Sequence, residues 1–577
     1  MANNNIVSPG IYINETDQSF IPEGIIEAGA ALVGSTAKGP VRIPTLVSSY
    51  PDFVAKFGNV IESGSGTNIT THPSFLNQAA YNYFENGGNT LLISRAVSGS
   101  YSSATASVDG TESGVTSFVL NTRAQGADQN SAAVTANSNG LFSSGSNLNV
   151  RYEITNSNTS SGTFTLVVRR GDDDDNNKII LEQYVGLTLD PFDNNYIGKA
   201  VGTQYSTIAG TGADVYVSLE GEYPNVSKYV YVSDIKDTPH YSDSEGNVRV
   251  ADYTGSIPSN TEAGTSSKGF DGAVGELGGG ALFGKDIVDD NIEGLTASDY
   301  TASFYLLNDT QFKYTSIAAP GLIYKDHSTE LNILLDNSET RGDTIALVDL
   351  GYYTASVSDV TSQATSINNS YAAAYYPWLL ATDPGTGKAT WCPASTFIPG
   401  VYAYNDRVGE PWFAPAGLNR GALPTVIRTQ RTLTKANRDT LYADKVNPII
   451  SFPGSGVVVF GQKTLQTKAS ALDRINVRRL LINIKQFLDQ QSGNVVFEAN
   501  TQATRNNFLA IVNPYLESVQ QRQGLYAFKV VMDESINTPA VIDRNELVGQ
   551  IYLQPTKTAE FVILNFNVQP TGASFPS

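Results

Sequence analysis

Residues 473–479 read DRINVRR and open the most regular part of the chain. Apolar residues recur from this stretch at helical spacing, which predicts an amphipathic helix over residues 469–490 with one face toward a core; they are Val477, Leu480, Leu481, Ile484, Phe487 and Leu488. Residues 462–488 contain six Lys or Arg and one acid, in a chain of net charge -19. This local inversion of sign predicts either a solvated helix face or a docking face for an acidic partner.

The remaining C-terminal sequence predicts a second helix and several strands. The helix covers residues 501–521, with Pro514 bending it and Gly524 capping it in the left-handed conformation. Strands are predicted at the ranges 495–499, 525–532, 547–553 and 560–569, and residues 541–546 (VIDRNE) lie between two of them.

Length and composition indicate a folded protein of several domains. The chain has 577 residues, of which 41% are hydrophobic and 16% charged, enough apolar sequence for real cores. Abundant Gly and Tyr, with many Ser, Thr and Asn, favour strands joined by tight turns. We therefore predict a multidomain α+β fold rich in β-structure.

The charge and the terminal sequence exclude several classes of function. An acidic chain is unsuited to direct nucleic-acid binding or to an anionic membrane surface. Cys392 is the one cysteine, so no intrachain disulfide is expected. No Lys or Arg precedes Lys38, and no apolar run reaches about 18 residues, so we expect neither a cleaved signal nor membrane insertion.

Upstream, short segments predict an extended arm followed by an α/β layer. Residues 6–15 (IVSPGIYINE) read as an extended arm without an obvious partner nearby. Residues 28–39 predict a buried strand and loop, residues 50–58 a short helix, and residues 90–96 a strand. Residues 315–350 predict strand, helix and strand in that order. Between these segments, residues 98–195 are polar with short alternating runs, as expected of an inserted β domain.

Several short motifs are better explained as turns than as sites. The acidic run at residues 172–175 lacks the alternating acids of a calcium loop and predicts a solvated turn. Residues 385–388 (GTGK) miss the spacing of a phosphate loop and predict a β-turn. Residues 341–343 (RGD) predict a turn leading into a strand. The glycines at 278, 279, 280 and 284 miss the dinucleotide spacing, so flexible backbone is expected.

The chain offers little for catalysis. The only histidines are His72, His240 and His327, and none lies in a nucleophile elbow or a metal-binding spacing. We predict no enzymatic activity, no catalytic or metal site, and no cofactor.

In combination and in order, several segments resemble the contractile tail sheath proteins of myophages, the family of the T-even-type phages. The segments with this resemblance are residues 8–15, 34–40, 44–47, 50–58, 319–321 (APG), 371–379 (YAAAYYPWL), 399–403 (PGVYA), 414–417 (APAG), 473–480, 541–546 and 562–566. The resemblance is weakest over residues 98–195.

The resemblance implies a division of the chain into domains. An inner α/β domain would combine residues 346–555 with an N-terminal linking arm at residues 1–22. Residues 23–97 and 196–345 would form a middle α+β domain, and residues 98–195 the outer β domain. Residues 556–577 would be a C-terminal linking arm.

The resemblance also implies a function. The subunit would polymerise helically around a tail tube, starting from a baseplate and ending at a terminator, and would contract to drive the tube through a bacterial envelope during genome delivery. It would assemble in the host cytoplasm and reside in the virion. The residues expected to make intersubunit arm contacts are Ile11, Tyr12, Ile13, Val562, Leu564, Phe566 and Val568. Those expected to face the tube are Lys463, Lys468, Arg474, Arg478, Arg479 and Lys485.

Three other functions compete with this hypothesis. A sheath of a bacteriocin-like particle or secretion system would share the same features. A receptor-binding or capsid-decorating β protein would not need the terminal arms or the DRINVRR helix. A depolymerase would need a catalytic constellation, which the sequence does not display.

Overall fold

The computed structural model describes residues 28–63, 70–126, 129, 140–142, 145–210, 212–261, 269–270, 295–309 and 311–560. The first part of the chain forms β1 (Ala30–Gly34), β2 (Thr45–Val47), α1 (Tyr50–Phe57), β3 (Ile61–Ser63), β4 (Thr70–His72), α2 (Phe75–Glu85) and β5 (Leu91–Arg95). The next part forms β6 (Ser103–Asp109), β7 (Thr116–Gln125), β8 (Val150–Asn158), β9 (Thr163–Arg170), β10 (Ile180–Thr188), α3 (Ile197–Ala200), β11 (Tyr205–Ala209), β12 (Tyr216–Glu220), β13 (Val230–Ser233) and α4 (Tyr253–Ser256).

The C-terminal half alternates helices and strands. Its first elements are α5 (Ser298–Leu307), β14 (Ser316–Ile323), α6 (Ser328–Arg341), β15 (Ile345–Asp349), α7 (Val357–Thr365), β16 (Ala372–Tyr376), β17 (Leu379–Thr382), β18 (Ala389–Cys392) and α8 (Ile398–Val408). There follow β19 (Val426–Thr429), α9 (Lys435–Ala443), β20 (Val446–Phe452), β21 (Gly456–Val459), α10 (Ile475–Ser492), α11 (Gln502–Gln521), β22 (Leu525–Val531), α12 (Pro539–Ile542) and β23 (Gln550–Pro555).

One eight-stranded sheet organises residues 28–97 and 295–465, which we call the sheet unit. Six of its strands are parallel, in the order β5, β1, β14, β15, β16, β20, while β2 and β21 are antiparallel at the two edges. The parallel strands are buried on both faces, as a doubly wound sheet with helices on either side requires. The predicted strand, helix and strand at residues 315–350 are confirmed as β14, α6 and β15.

The sheet crosses one predicted domain boundary. Strand β14 belongs to the predicted middle domain and β15 to the predicted inner domain. The two strands nevertheless pair in parallel, starting with Ser316 opposite Ile345. Their side chains belong to one hydrophobic cluster with β1 and β5. A boundary at residue 345 is therefore wrong, because it would split a continuous sheet and core.

The order of the parallel strands creates a switch point between β1 and β14, where doubly wound sheets bind ligands beyond the carboxyl ends of the strands. A 3₁₀ turn at Ala394–Thr396 packs to one side of this point, against β14, β15 and β16. Ser395 donates hydrogen bonds from its backbone N–H (3.1 Å) and its Oγ (2.5 Å) to the carboxylate of Asp349, the last residue of β15. This turn therefore covers the carboxyl end of β15.

Asp349 predicts a pH dependence of stability. Burial raises the pKa of Asp349 to about 7, although the hydrogen bonds from Ser395 oppose this shift. Because the pKa of Asp349 in the folded protein exceeds its ordinary value, the Asp349 carboxyl of the unfolded chain loses its proton first as the pH rises. The free energy of unfolding therefore falls between about pH 4 and pH 7. Asp349→Asn should remove this loss and stabilise the sheet unit at pH 8 by roughly 1–3 kcal/mol.

Denaturant unfolding followed by tryptophan fluorescence measures this effect, because Trp378 and Trp391 pack in the core of the sheet unit, while Trp412 packs in the core of the C-terminal unit. Asp543→Asn at an exposed position is the control. An Asp349→Asn variant that is less stable than wild type at pH 8 would contradict the prediction.

Residues 103–261 form a separate antiparallel β-sandwich, the sandwich unit. One sheet has the order β10, β9, β8 and the other β13, β7, β6. Phe118 and Phe164 stack between the sheets with ring centroids 5.8 Å apart, within a shared core. Strand β13 pairs with β7, and Tyr241 and Ile257 belong to the same core, so the predicted end of the insertion at residue 195 is too early.

The prediction of a solvated turn at residues 172–175 is wrong for Asp173, while Asp172, Asp174 and Asp175 are partly exposed. Asp173 is fully buried and bonds Arg169 at 2.7 Å and Arg151 at 3.2 Å, and both arginine side chains are also fully buried. Glu153 pairs with Arg169 at 2.9 Å from the other side. Asp173 therefore neutralises two buried arginines instead of facing water.

The other two turn motifs are confirmed. In the GTGK stretch, Gly387 adopts a φ of 68°, and Asp383 accepts the backbone N–H of Thr386 at 2.7 Å, which closes the turn between β17 and β18. In the RGD stretch, Gly342 ends α6 in the left-handed conformation. The glycines at 278–284 lie outside the described residues.

The two long C-terminal helices pack together with the β22–β23 hairpin, and residues 475–555 are called the C-terminal unit. Leu480 and Ile484 of α10 meet Val512 and Leu516 of α11 in a small core that includes Trp412. The predicted helices are confirmed, but residues 495–499 form a turn instead of a strand. The left-handed residue after α11 is Gln523, with φ 66°, and not Gly524.

Candidate assembly surface

The β22–β23 hairpin is the candidate site for assembly. Its strands are antiparallel, and Phe528 pairs with Leu553 and Val530 with Ile551 on the face that packs against the C-terminal core. Across the strands described by the structure, no other strand pairs with either edge of this hairpin. An isolated two-stranded sheet is only marginally stable and exposes unpaired backbone groups, so its edges are suited to accept further strands.

The chain after β23 is fixed where the predicted C-terminal arm begins. The Glu560 carboxylate accepts hydrogen bonds from Arg474 Nε at 2.7 Å, Tyr442 OH at 2.9 Å and Gln462 Nε2 at 3.0 Å. Burial alone would raise the pKa of Glu560, but these donors hold it below its usual range. The anchor determines where the chain leaves the sheet unit.

The residues predicted to make intersubunit arm contacts lie before and after Glu560 in the sequence. Ile11, Tyr12, Ile13, Val562, Leu564, Phe566 and Val568 all lie outside the described residues. Their role in joining subunits remains a prediction.

Two of the arginines predicted to face a partner are buried instead. Arg478 is 4% exposed, and its guanidinium lies 3.9 Å from the ring centroid of Tyr371. Arg479 is 5% exposed and pairs with Asp406 at 2.6 Å. The prediction that these two residues form a charged outer face is wrong, because their charges are used inside the fold.

Arg474 and Lys463 are also engaged within the subunit. Arg474 pairs with Asp473 at 2.9 Å as well as with Glu560. Lys463 Nζ donates a hydrogen bond to the backbone carbonyl of Tyr442 at 2.6 Å and lies 4.2 Å from the centroid of the Tyr442 ring. Both side chains therefore support the anchor of the C-terminal segment.

Lys468 and Lys485 are the exposed members of the predicted set. Lys485 Nζ donates to Tyr371 OH at 2.8 Å, while Lys468 lies in the exposed loop before α10. The rings of Tyr371, Tyr402 and Tyr442 under the cations were not predicted as partners. They occur up to about 110 residues away in sequence; Tyr371 and Tyr402 lie in the YAAAYYPWL and PGVYA segments, while Tyr442 lies in α9.

Two family models match the half of the chain that contains this surface. Residues 293–465 match the phage tail sheath protein central domain, and residues 467–569 match the phage tail sheath C-terminal domain. The chain carries the domains of a phage tail sheath protein. The predicted family is thereby confirmed, and it is a family of structural components of contractile tails.

Tail sheath proteins of three phages are similar in sequence. That of Vibrio phage KVP40 is 40% identical over 210 residues, which is 36% of this chain and 31% of the relative. That of Enterobacteria phage T4 is 35% identical over 232 residues, 40% of this chain and 35% of the relative. That of Salmonella phage ViI is 32% identical over 257 residues, 43% of this chain and 41% of the relative. The chain thus spans about a third of the length of the first two tail sheath relatives.

Solved sheath structures are also similar. A sheath tail protein from Listeria innocua aligns over 92% of this chain and 95% of its own, at 12% identity and a TM-score of 0.48. The sheath of an extracellular contractile injection system in its contracted state aligns over 47% of this chain and 75% of its own, at 24% identity and a TM-score of 0.41.

Neither a metal centre nor a membrane span accompanies the tail sheath domains in the described ranges. No group of three or more His, Cys, Asp or Glu side chains there is arranged to hold a metal ion. No helix among the described elements is both long and apolar enough to cross a bilayer. His327 is buried, and its Nδ1 accepts the backbone N–H of Ile323 at 3.0 Å, which is a structural contact.

Proposed function

We propose that this chain is the subunit of a contractile phage tail sheath, which polymerises helically around a tail tube and contracts to drive the tube through the bacterial envelope during genome delivery. The observation that carries the proposal is the β22–β23 hairpin, whose edges remain open in the described structure beside an anchored C-terminal segment. Its partners would be further copies of itself, the tail tube, the baseplate and the tail terminator. The subunits would assemble in the host cytoplasm and remain in the virion.

Strand addition explains why such a subunit forms a helix instead of a closed ring. A terminal segment of one copy that adds to the hairpin of the next makes a head-to-tail contact, and contacts of this kind generate filaments when the rotation does not close. Each donated strand contributes several kcal/mol through backbone hydrogen bonds and apolar burial. These links would persist while other contacts change.

Contraction by this route requires no nucleotide. The energy would be stored as the difference between two packings of the same subunits, and the strand links would keep neighbours connected during the transition. The sandwich unit would lie on the outside, since its core is separate from that of the sheet unit.

A pelleting assay tests the proposal. Purified full-length protein, treated with EDTA and with an enzyme that hydrolyses nucleotides, should still move into the high-speed pellet as its concentration rises. A protein that stays in the supernatant as a monomer over the whole concentration range, with or without added Mg²⁺ and ATP, would contradict it.

The exposed lysines allow a test of the tube-facing surface. Replacing Lys468 and Lys485 by Glu should reduce assembly on tail tubes while sparing sheath-only polymers, because surface ion pairs are weak, at about 0–1 kcal/mol each, but repeat in every subunit. Lys236→Glu with Lys388→Glu makes the same change in net charge at exposed positions elsewhere. Intact assembly on tubes by the first double variant, or equal loss of both polymers, would reject this surface.

A further inference from the structure

The turn between α10 and α11 exposes an apolar tip, residues 495–498. Phe497 is 103% exposed, and Val496 beside it is 60% exposed. Phe497 also adopts a φ of 71°, a left-handed conformation that is uncommon for an aromatic residue. A phenyl ring this exposed adds little packing within its own subunit, so its apolar surface is available to another molecule.

Hydrogen bonds fix the backbone of this tip. The backbone N–H of Val495 donates to the Ser492 carbonyl at 2.9 Å, and the N–H of Glu498 donates to the Val495 carbonyl at 3.1 Å. Asn500 Nδ2 donates to the Glu546 carbonyl at 2.9 Å, which ties the turn to the loop before β23. The phenyl ring is therefore presented on a formed turn, and its backbone needs little ordering before it binds a partner.

A groove of about 410 Å³ lies between the end of α8 and the end of α11. Its apolar lining includes Val408, which is 50% exposed, and Phe413, which packs against the C-terminal core. A Cβ at Gly409 would lie 2.7 Å from Phe413 Cδ2, so glycine allows this ring to lie against the groove. The groove is larger than a phenyl side chain and offers an apolar surface to one.

Charged residues of opposite sign lie beside the tip and in the groove. Glu498 follows the exposed phenylalanine and is itself exposed. Arg407 lines the groove and is exposed, with its guanidinium 5.3 Å from the ring centroid of Tyr404. The other groove arginine, Arg522, pairs with Glu410 at 3.0 Å. The attraction between Glu498 and Arg407 favours a contact of tip with groove over a contact of two tips.

The tip and the groove lie at the two ends of one helix. Helix α11 has 20 residues and is therefore about 30 Å long. The tip precedes its first residue, whereas Gln521 and Gln523 of the groove lie at its other end. Strand β22 of the candidate assembly hairpin packs against the same helix. A contact between the tip of one copy and the groove of the next is head-to-tail, and repeated contacts of this kind build filaments.

We propose that Phe497 of one subunit inserts into the groove beside Phe413 of the next subunit in the sheath. This contact rests on the proposed function, because it requires copies that polymerise. It adds a second contact between C-terminal units to the one made by the arm and the hairpin. The partner of the tip is thus a second copy of this chain and not the tail tube.

Phe497→Asn tests the contact, because asparagine removes the ring but tolerates the left-handed conformation. The concentration at which the full-length protein pellets should rise roughly tenfold or more, since an aromatic side chain loses its burial between subunits. The unfolding midpoint followed by tryptophan fluorescence should stay at its wild-type value, because the ring is exposed within the subunit. Phe192→Asn, at a 67% exposed position of the sandwich unit, is the matched control and should pellet as wild type does.

Photo-crosslinking identifies the partner of the tip whether or not Phe497→Asn folds. With p-benzoylphenylalanine at position 497, sheath-only polymers that mix isotopically labelled and unlabelled copies should give crosslinks to residues 407–413 or 521–523 of another copy. Crosslinks confined to other residues or to the tail tube, no crosslink, or wild-type pelleting by folded Phe497→Asn would overturn the contact and leave the proposed function intact. Wild-type protein that never pellets would reject both.

Discussion

Deletion of residues 1–15 is expected to leave a folded subunit that no longer builds a connected sheath. These residues contain the predicted arm, which would add to the β22–β23 hairpin of a neighbour and contribute little to its own subunit. Losing about four to six intersubunit hydrogen bonds, worth about 0.5–1.5 kcal/mol each, should weaken association roughly hundredfold or more. The pelleted fraction at a fixed protein concentration measures the effect.

A shorter deletion provides the matched control. Residues 1–5 (MANNN) contain only Met1 as a larger apolar side chain, so their removal should leave assembly intact. The thermal transition of the monomer should be the same in both variants. Unchanged assembly without residues 1–15, or loss of the monomer's thermal transition, would show that the segment does not act as an intersubunit arm.

Asp173→Ala is expected to unfold the sandwich unit selectively. The substitution leaves Arg151 and Arg169 buried with only part of their neutralising charge, and removing one partner from a buried ionic cluster typically costs about 3–5 kcal/mol. It also removes the acceptor for the backbone N–H of Ile179, which bonds Asp173 at 2.9 Å. The sheet unit has a separate core and should remain folded.

The sequence offers a neighbouring control and a selective probe. Asp172 pairs with Arg170 at a half-exposed position, so Asp172→Ala should cost only about 0–1 kcal/mol. Limited proteolysis should cut the Asp173→Ala variant within residues 103–261, while tryptophan fluorescence, which reports on the sheet and C-terminal units, should keep its wild-type unfolding midpoint. Resistance of the sandwich unit equal to that of wild type would contradict the assigned role of Asp173.

Local elements were predictable where the sequence pattern alone determines them. The buried strand at residues 28–39, the helix at residues 50–58 and the two long C-terminal helices follow from apolar spacing and turn residues. The order of the sheet was not predictable, because β1 lies between β5 and β14, and residues some 285 positions apart become neighbours. Both incorrect domain boundaries, at residues 195 and 345, arise from such long-range pairing.

The charged residues were mispredicted for one physical reason. A single sequence places Arg and Asp on the surface by default, since burial is favourable only when a partner compensates the charge. For Arg478 the partner is Tyr371, which tertiary structure brings close. For Asp173 the partners are Arg169, four residues earlier in the sequence, and Arg151 on strand β8. The two strands of the candidate assembly hairpin were predicted at residues 525–532 and 547–553, but their pairing with each other and their open edges became evident only from the structure.

Negative-stain electron microscopy of the purified full-length protein tests the central claim most directly. The account predicts hollow helical tubes that form without nucleotide or added metal and that disappear when residues 1–15 are deleted. Dispersed monomers or closed oligomers of fixed size, at concentrations where the protein remains folded, would contradict the assignment of this chain as a self-assembling sheath subunit.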